Sequence, residues 1–375
     1  MKLHVLTENL QKKLSLLNRA VSSRTQLPIL NNILIETEGG RLKMSTTDLE
    51  IGIVVEIPAN IEKEGATTVP ARIFSELISS LPQEKITLEI IGNNLIVFTK
   101  KTKSSIQTIN REDFPKIYED KGEEMIVVKT KDLYEDLIKV VFAVSVDMAR
   151  PALSGVLLKE EDKGFLIVAT DGYRLSLKHH VVLGGKKEQI NTQEKPLLIP
   201  GRIMREFISS KTDEEETTLY VSNKNNQILF SQKNSTIVGR LIEAEFPNYE
   251  RIIPTDFATR VLFDRREMQQ AVKTCSIFAR ETGNIIKINT KKDKIIISAN
   301  TPSVGDNTVE VEGAVSGQEN EIAFNARYML ELFSNIEDET MVFEMMNPLS
   351  PGVFKIEKDL SFLHIIMPIR VQPEQ

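Results

Sequence analysis

Pro70-Ala71-Arg72-Ile73-Phe74-Ser75-Glu76-Leu77-Ile78 is the stretch that decides the fold, because the chain returns to it twice. The second copy reads Pro200-Gly201-Arg202-Ile203-Met204-Arg205-Glu206-Phe207-Ile208, and the third Asn325-Ala326-Arg327-Tyr328-Met329-Leu330-Glu331-Leu332-Phe333. The arginines lie 130 residues (72 to 202) and 125 residues (202 to 327) apart, so a domain-sized unit recurs and governs the architecture. Each copy predicts a short helix. Pro or Asn stands where the first N–H lacks a helical partner, and apolar residues follow at i, i+1, i+4 and i+5. Arg and Glu four apart share one edge of that helix, which suits either a surface ion pair or a functional contact.

A second helix opens each copy. Leu10, Leu14, Leu17 and Val21 form an apolar stripe, and Lys12 and Arg19 project almost opposite it. The counterparts are Leu133, Leu137, Val140 and Val144, then Met268, Val272, Cys275 and Ala279. Cys275 therefore reads as a core residue. Ile277 lies on the far side of its helix, so Ile277 and its neighbour Phe278 are expected at an interface.

Between the helices come strands punctuated by turns, as in Ile86 to Ile91, Gly92-Asn93-Asn94, and Leu95 to Phe98. Thr218 to Val221 and Ile228 to Phe230 repeat this around a polar turn, and Met341 to Phe343 and Val353 to Ile356 repeat it again. The copies close on Phe114-Pro115, Phe246-Pro247 and Met367-Pro368. Polar or proline-broken linkers near Tyr118 to Glu124 and Arg251 to Asp256 set the modules at 1–124, 125–255 and 256–375. The class is α+β, in three tandem copies of one module.

Composition excludes several functions. The chain of 375 residues has no run of about 18 apolar residues to span a membrane and no basic-then-apolar leader at Met1 to Glu8, so a cytoplasmic protein is expected. One cysteine forbids an intramolecular disulfide and argues against a thiolate metal cage. Asp48 and Asp171 recur without clustered carboxylates, and Gly184-Gly185-Lys186-Lys187 lacks phosphate-loop spacing. His4 and His364 sit in predicted strands and His179-His180 end one, which assembles no nucleophile and base. No catalytic residue, metal or cofactor is expected. A net charge of −6 argues on average against nucleic acid, but cations gathered on helix faces escape that average. A repeat scaffold that binds peptides without DNA is the competing non-enzymatic reading.

Three segments, in order within the repeat, resemble the beta subunit of bacterial DNA polymerase III, the sliding clamp, over the whole chain: Val168-Ala169-Thr170-Asp171-Gly172-Tyr173-Arg174-Leu175, Glu245-Phe246-Pro247-Asn248-Tyr249-Glu250-Arg251-Ile252-Ile253-Pro254 and Met367-Pro368-Ile369-Arg370-Val371. The resemblance implies modules of two helices backed by antiparallel sheets, forming a ring as a head-to-tail homodimer. That ring encloses duplex DNA without reading its sequence and performs no chemistry. Lys12, Arg19, Arg24, Arg72, Arg150, Arg202 and Arg205 are the expected DNA-facing cations, although Pro151-Ala152 replaces tyrosines that touch DNA in some members.

The resemblance also implies a hydrophobic pocket between the second and third modules, for short peptides of DNA polymerase III alpha and other polymerases, the clamp loader and repair proteins. Its expected wall is Leu153, Thr170, Gly172, Tyr173, Arg174, Leu175, Pro254, Met367, Pro368, Ile369 and Arg370, with Tyr173 standing where a histidine is common. Thr170-Asp171 alone fits a plain turn, since Thr47-Asp48-Leu49 repeats it in the first module; Gly-Tyr-Arg-Leu belongs to the second copy only. The dimer contact is expected between the third module and the partner's first, near Ile106, Ile277 and Phe278. Gln372 to Gln375 trail the last motif, where they are placed to cover part of the pocket.

Overall fold

The computed structural model of the chain describes residues 1–22, 27–147, 149–181, 196–210 and 214–370. Among them are six α-helices, two in each predicted module: α1 (Thr7–Leu17) and α2 (Ala71–Ser80), α3 (Thr130–Val141) and α4 (Gly201–Ser209), α5 (Arg265–Ala279) and α6 (Ala326–Asn335). The repeated stretch forms α2, α4 and α6. Local chemistry starts them as expected: α6 begins where the Asn325 side chain accepts from Arg327 N at 2.9 Å, and α5 where Asp264 accepts from Glu267 N at 2.8 Å. The stripes turn inward, with Leu10, Leu14, Leu17, Leu133, Leu137, Val140, Met268, Val272, Cys275 and Ala279 all buried. Burying each larger side chain contributes about 1.5 to 3 kcal/mol. Val21 and Val144 fall beyond the ends of α1 and α3, because the chain leaves each helix one turn before its apolar period stops.

Every strand pairing among the described residues is antiparallel, in three sheets of five, eight and twelve strands. Two compact units result: Met1–Lys131 with Arg205–Leu241, and Asp132–Met204 with Ile242–Gln375. The division runs through the second copy, because its sheets are shared with both neighbours. In the first unit, Ser235–Arg240 of the second copy pairs with Ile51–Pro58 of the first, from Ser235 opposite Val55 to Gly239 opposite Ile51. In the second unit, Asp359–Ile366 of the third copy pairs with Arg174–Val181 of the second, from Arg174 opposite Ile366 to Lys178 opposite Phe362. Both junctions use the same rule: the last strand of one module covers the edge of the strand that follows the Thr-Asp turn of the module before it. Edge N–H and C=O groups that water or another chain would otherwise take are satisfied internally.

The third module has its own phenylalanine core, in which Phe343 and Phe354 stack at 4.8 Å beneath α5 and α6. Cys275 belongs to it, and burial pushes its thiol up to about 11, so the reading of an inert core residue holds. No helix among the described residues is long and apolar enough to cross a membrane.

Candidate functional site

The turn that follows strand Gly164–Thr170 is built by side chains that replace backbone hydrogen bonds. Thr170 Oγ1 donates to Arg174 O at 2.6 Å and accepts from Gly172 N at 3.0 Å, while Asp171 Oδ1 accepts from Tyr173 N and Arg174 N at 2.9 and 3.0 Å. Thr47 and Asp48 make the same turn in the first module. Thr47 Oγ1 donates to Ile51 O and accepts from Leu49 N, and Asp48 Oδ1 accepts from Glu50 N and Ile51 N. Thr170 and Asp171 are thus structural in both copies. The difference lies at the residue forced to positive φ, which is Gly172 (φ 91) in the second module and Leu49 (φ 80) in the first.

Beside this turn lies a cavity of about 250 Å³. Its wall contains six of the expected residues, Leu153, Thr170, Gly172, Arg174, Leu175 and Met367. Tyr173 stands outside the lining with an exposed ring stacked on Tyr328 at 6.4 Å; its carbonyl accepts from Met367 N at 2.8 Å. Pro254, Pro368, Ile369 and Arg370 also fall outside it, and Ile369 N instead donates to Ala323 O at 2.8 Å, which ties the chain past Met367 to strand Asn320–Asn325. Five residues complete the wall without having been anticipated: Pro247, Asn248, Tyr249, Ile252 and Ile365. The segment that Phe246-Pro247 begins, one of the three that carry the resemblance, folds back onto the strands and buries Tyr249 in a cluster with Leu157, Val168, Leu177 and Ile365.

Arg174 is the charged member of that wall and is only 7% exposed. Its Nε donates to Asp171 Oδ2 at 3.1 Å, and its Nη2 reaches Phe142 O at 2.9 Å and Glu331 Oε2 at 2.5 Å. Phe142 and Tyr328 sandwich the guanidinium at 5.3 and 4.8 Å. Behind it, His364 is fully buried with Nδ1 2.5 Å from Ser176 Oγ. Burial, reinforced by the charge of Arg174, holds this imidazole well below its usual range, so it is neutral.

Four of the expected DNA-facing cations are ion-paired. Lys12 meets Glu8 at 2.7 Å on α1, Arg72 meets Glu76 at 2.9 Å on α2, Arg19 meets Glu206 at 2.8 Å and Arg150 meets Asp147 at 3.1 Å. Arg202 and Arg205 lie on α4, where burial lowers the Arg205 guanidinium. Arg24 falls outside the described residues, as do Gly184 to Lys187 and Gln372 to Gln375. No group of His, Cys, Asp and Glu among the described residues is arranged to hold a metal.

The residues expected at the dimer contact differ in exposure. Ile106 is buried in its own module, because it is the inward residue of strand Lys103–Gln107, between exposed Ser105 and Gln107. Phe278 is half-buried against the third module's core, since it flanks the stripe and does not oppose it. Ile277 remains 53% exposed.

Comparison with known proteins follows the modules. Family models for the DNA polymerase III beta subunit match in tandem, the N-terminal domain over residues 1–118, the central domain over 127–248 and the C-terminal domain over 250–370. The chain is 27% identical to the beta sliding clamp of Synechococcus elongatus over 380 residues, covering 99% of this chain and 100% of that one. It is also 27% identical to the Staphylococcus aureus beta sliding clamp, over 94% of each. Among solved structures, the Bacillus subtilis DNA polymerase sliding clamp superposes with a TM-score of 0.92 at 26% identity, over 99% of this chain and 100% of that one. The Pseudomonas aeruginosa sliding clamp bound to griselimycin has the same score, identity and coverage.

Proposed function

The chain belongs to the DNA polymerase III beta subunit family, the beta sliding clamps, and on that premise we propose a role for each part of its surface. It is a DNA polymerase processivity factor: a homodimeric ring that encircles duplex DNA, slides along it and tethers polymerases, without chemistry of its own. The modules are 1–124, 125–255 and 256–375, a cut supported by the three tandem family matches. The compartment is the cytoplasm, a reading supported by the lone buried thiol.

The cavity bounded by Gly172, Arg174, Tyr249, Ile365 and Met367 takes the apolar anchor of a partner peptide. The observation that carries this is its composition: leucine, isoleucine, tyrosine and methionine side chains around one buried arginine, at the seam where strand Asp359–Ile366 meets strand Arg174–Val181. Tyr173, Pro254, Pro368, Ile369 and Arg370 form its outer rim. Lys12, Arg19, Arg24, Arg72, Arg150, Arg202 and Arg205 face DNA. Four of these are already carboxylate-paired, so phosphates exchange with local counter-ions and bind weakly, which suits sliding.

The dimer contact repeats the two internal junctions. Strand Lys103–Gln107 is the last of its module, as Ser235–Arg240 and Asp359–Ile366 are of theirs, but it lies uncovered at the edge of its sheet, and Gly305–Gly317 is the third module's counterpart of Ile51–Pro58 and Arg174–Val181. Pairing the first with the last between two chains closes the ring, and Lys100, Lys101 and Lys103 then approach Asp306, Glu310 and Glu312. Ile277 and Ile73 join this contact. Ile73 is 55% exposed, whereas its repeat equivalents Ile203 and Tyr328 are buried and half-buried.

Met367→Ala with Arg174→Ala tests the pocket. Binding of griselimycin and of a polymerase III alpha peptide should fall at least tenfold with the dimer intact, and unchanged affinity for both refutes the assignment. Loader-assembled protein should stay on circular DNA and run off once it is cut; equal retention on both forms refutes encirclement.

A further inference from the structure

We propose that Glu331 is a positioning residue of the partner pocket and the link through which Arg327, exposed on α6, acts on that pocket; the inference rests on the pocket reading above. The repeated glutamate of the second helix is used differently in each copy. Glu76 accepts from Arg72 of its own helix, and Glu206 accepts from Arg19 of the preceding module. Glu331 is shared: Oε1 accepts from Arg327 Nε at 2.8 Å, and Oε2 lies 2.5 Å from Arg174 Nη2. One carboxylate thereby joins a guanidinium buried in the cavity wall to another whose side chain is 73% exposed on α6.

A carboxylate has one negative charge to divide, so each arginine weakens its hold on the other. Asp171, Phe142 and Tyr328 hold the rest of Arg174 in place. Glu331 is the contact whose strength depends on something outside the pocket. Whatever draws Arg327 away, a backbone phosphate of duplex DNA above all, leaves the Glu331 charge undivided on Arg174 and fixes the cavity wall in its present geometry. A preorganised wall binds peptide more tightly. Linkage then requires bound peptide to favour release of Arg327 by the same factor. A clamp on DNA would hold its polymerase more firmly than a free one.

The test needs no DNA. Fluorescence anisotropy with a fluorescein-labelled synthetic peptide of the clamp-binding segment of DNA polymerase III alpha is measured on the full-length protein, Glu331→Gln, Arg327→Ala and the double variant. Glu331→Gln should weaken binding about fivefold, and Arg327→Ala should tighten it about threefold. In the Glu331→Gln background, Arg327→Ala should do nothing. A merely structural Glu331 would let the two effects add, and additivity overturns the proposal. Unchanged or weaker binding by Arg327→Ala overturns it even if Glu331→Gln folds poorly. Met367→Ala separates the failures: if it weakens the peptide while Arg327→Ala and Glu331→Gln do not, only the Glu331 role falls. If Met367→Ala also has no effect, the pocket assignment falls and carries the inference with it.

Discussion

Replacing Lys178 by Met should loosen the seam on which the peptide cavity depends. Lys178 is 6% exposed, in the strand that pairs with Asp359–Ile366. Its ammonium donates to Asp359 Oδ2 at 2.7 Å and to Ser361 Oγ, and lies 3.5 Å from Asp136, which also meets His180 Nδ1 at 2.7 Å. Burial pushes the Asp359 carboxyl up, but hydrogen bonds from Lys178 and Ser361 and the charge of Lys178 outweigh it and bring the group down from 3.8 to about 2. Met keeps the length of the stem and removes the buried cation that the two carboxylates share, leaving Asp359 to Ser361 and to Lys139 at 3.5 Å, and Asp136 to His180. Breaking one side of such a pair costs about 3 kcal/mol, the low end of the range, because Asp359 keeps some contact with water. Local opening would then be roughly a hundredfold more frequent, read as faster amide exchange in peptides covering 174–181 and 359–366. Acid gives an independent signature. A carboxyl held below its unfolded value stabilises the fold above about pH 5, and that contribution is lost as pH falls from about 4 to about 2. For Asp359 it is on the order of 1 to 2 kcal/mol after solvent screening. The native seam should therefore open in acid, and the Lys178→Met seam should show a weaker dependence. Exchange within threefold of the native protein, or an unaltered acid profile, refutes the reasoning.

The two Thr-Asp turns predict opposite effects of changing the residue at positive φ. Leu49→Gly should raise the stability of the first unit by about 0.5 to 1 kcal/mol, while Gly172→Ala should lower that of the second by about 1 kcal/mol. A Cβ at position 172 would meet nothing nearer than Arg150 Nη1 at 3.7 Å, so the loss would be backbone strain alone; urea melts in which both changes have the same sign contradict this. Ile73→Glu with Ile277→Glu should convert the dimer to monomer at micromolar concentration without altering the circular dichroism spectrum, and an undiminished mass by light scattering contradicts the proposed third junction.

The parts of the fold legible in the sequence were those set by period. Helix stripes and the repeated Arg and Glu depend on spacing along one chain, and spacing is visible in one dimension. The burial of Ile106 was legible too, since a single apolar residue in Lys103-Ser104-Ser105-Ile106-Gln107 marks the inward face of its strand. What period does not reveal is which edges meet. Nothing in Ser235–Arg240 alone says that it covers Ile51–Pro58, so the division of the second copy between two compact units had no local signal. The same limit hid Tyr249 and Ile365: each enters the cavity because a distant segment folds onto the seam.

The repeated glutamate shows why equivalent positions acquire unequal roles. Three copies of one helix place a carboxylate at the same height, one turn after an arginine. What that carboxylate holds depends on what the preceding module presents to it. Arg19, at the end of the first module's opening helix, reaches Glu206. Two positions past Val140 in the next module, at the place equivalent to Arg19, stands Phe142; the cation comes instead from Arg174 on the neighbouring strand, and it carries the cavity wall to Glu331. At the remaining junction the equivalent position is Ile277, and Glu76 meets its own Arg72. At the proposed dimer contact an apolar residue thus stands where the first module has a cation. The repeat supplies the position; divergence in the neighbouring module decides whether the carboxylate holds another module's cation, the cavity wall or only its own helix.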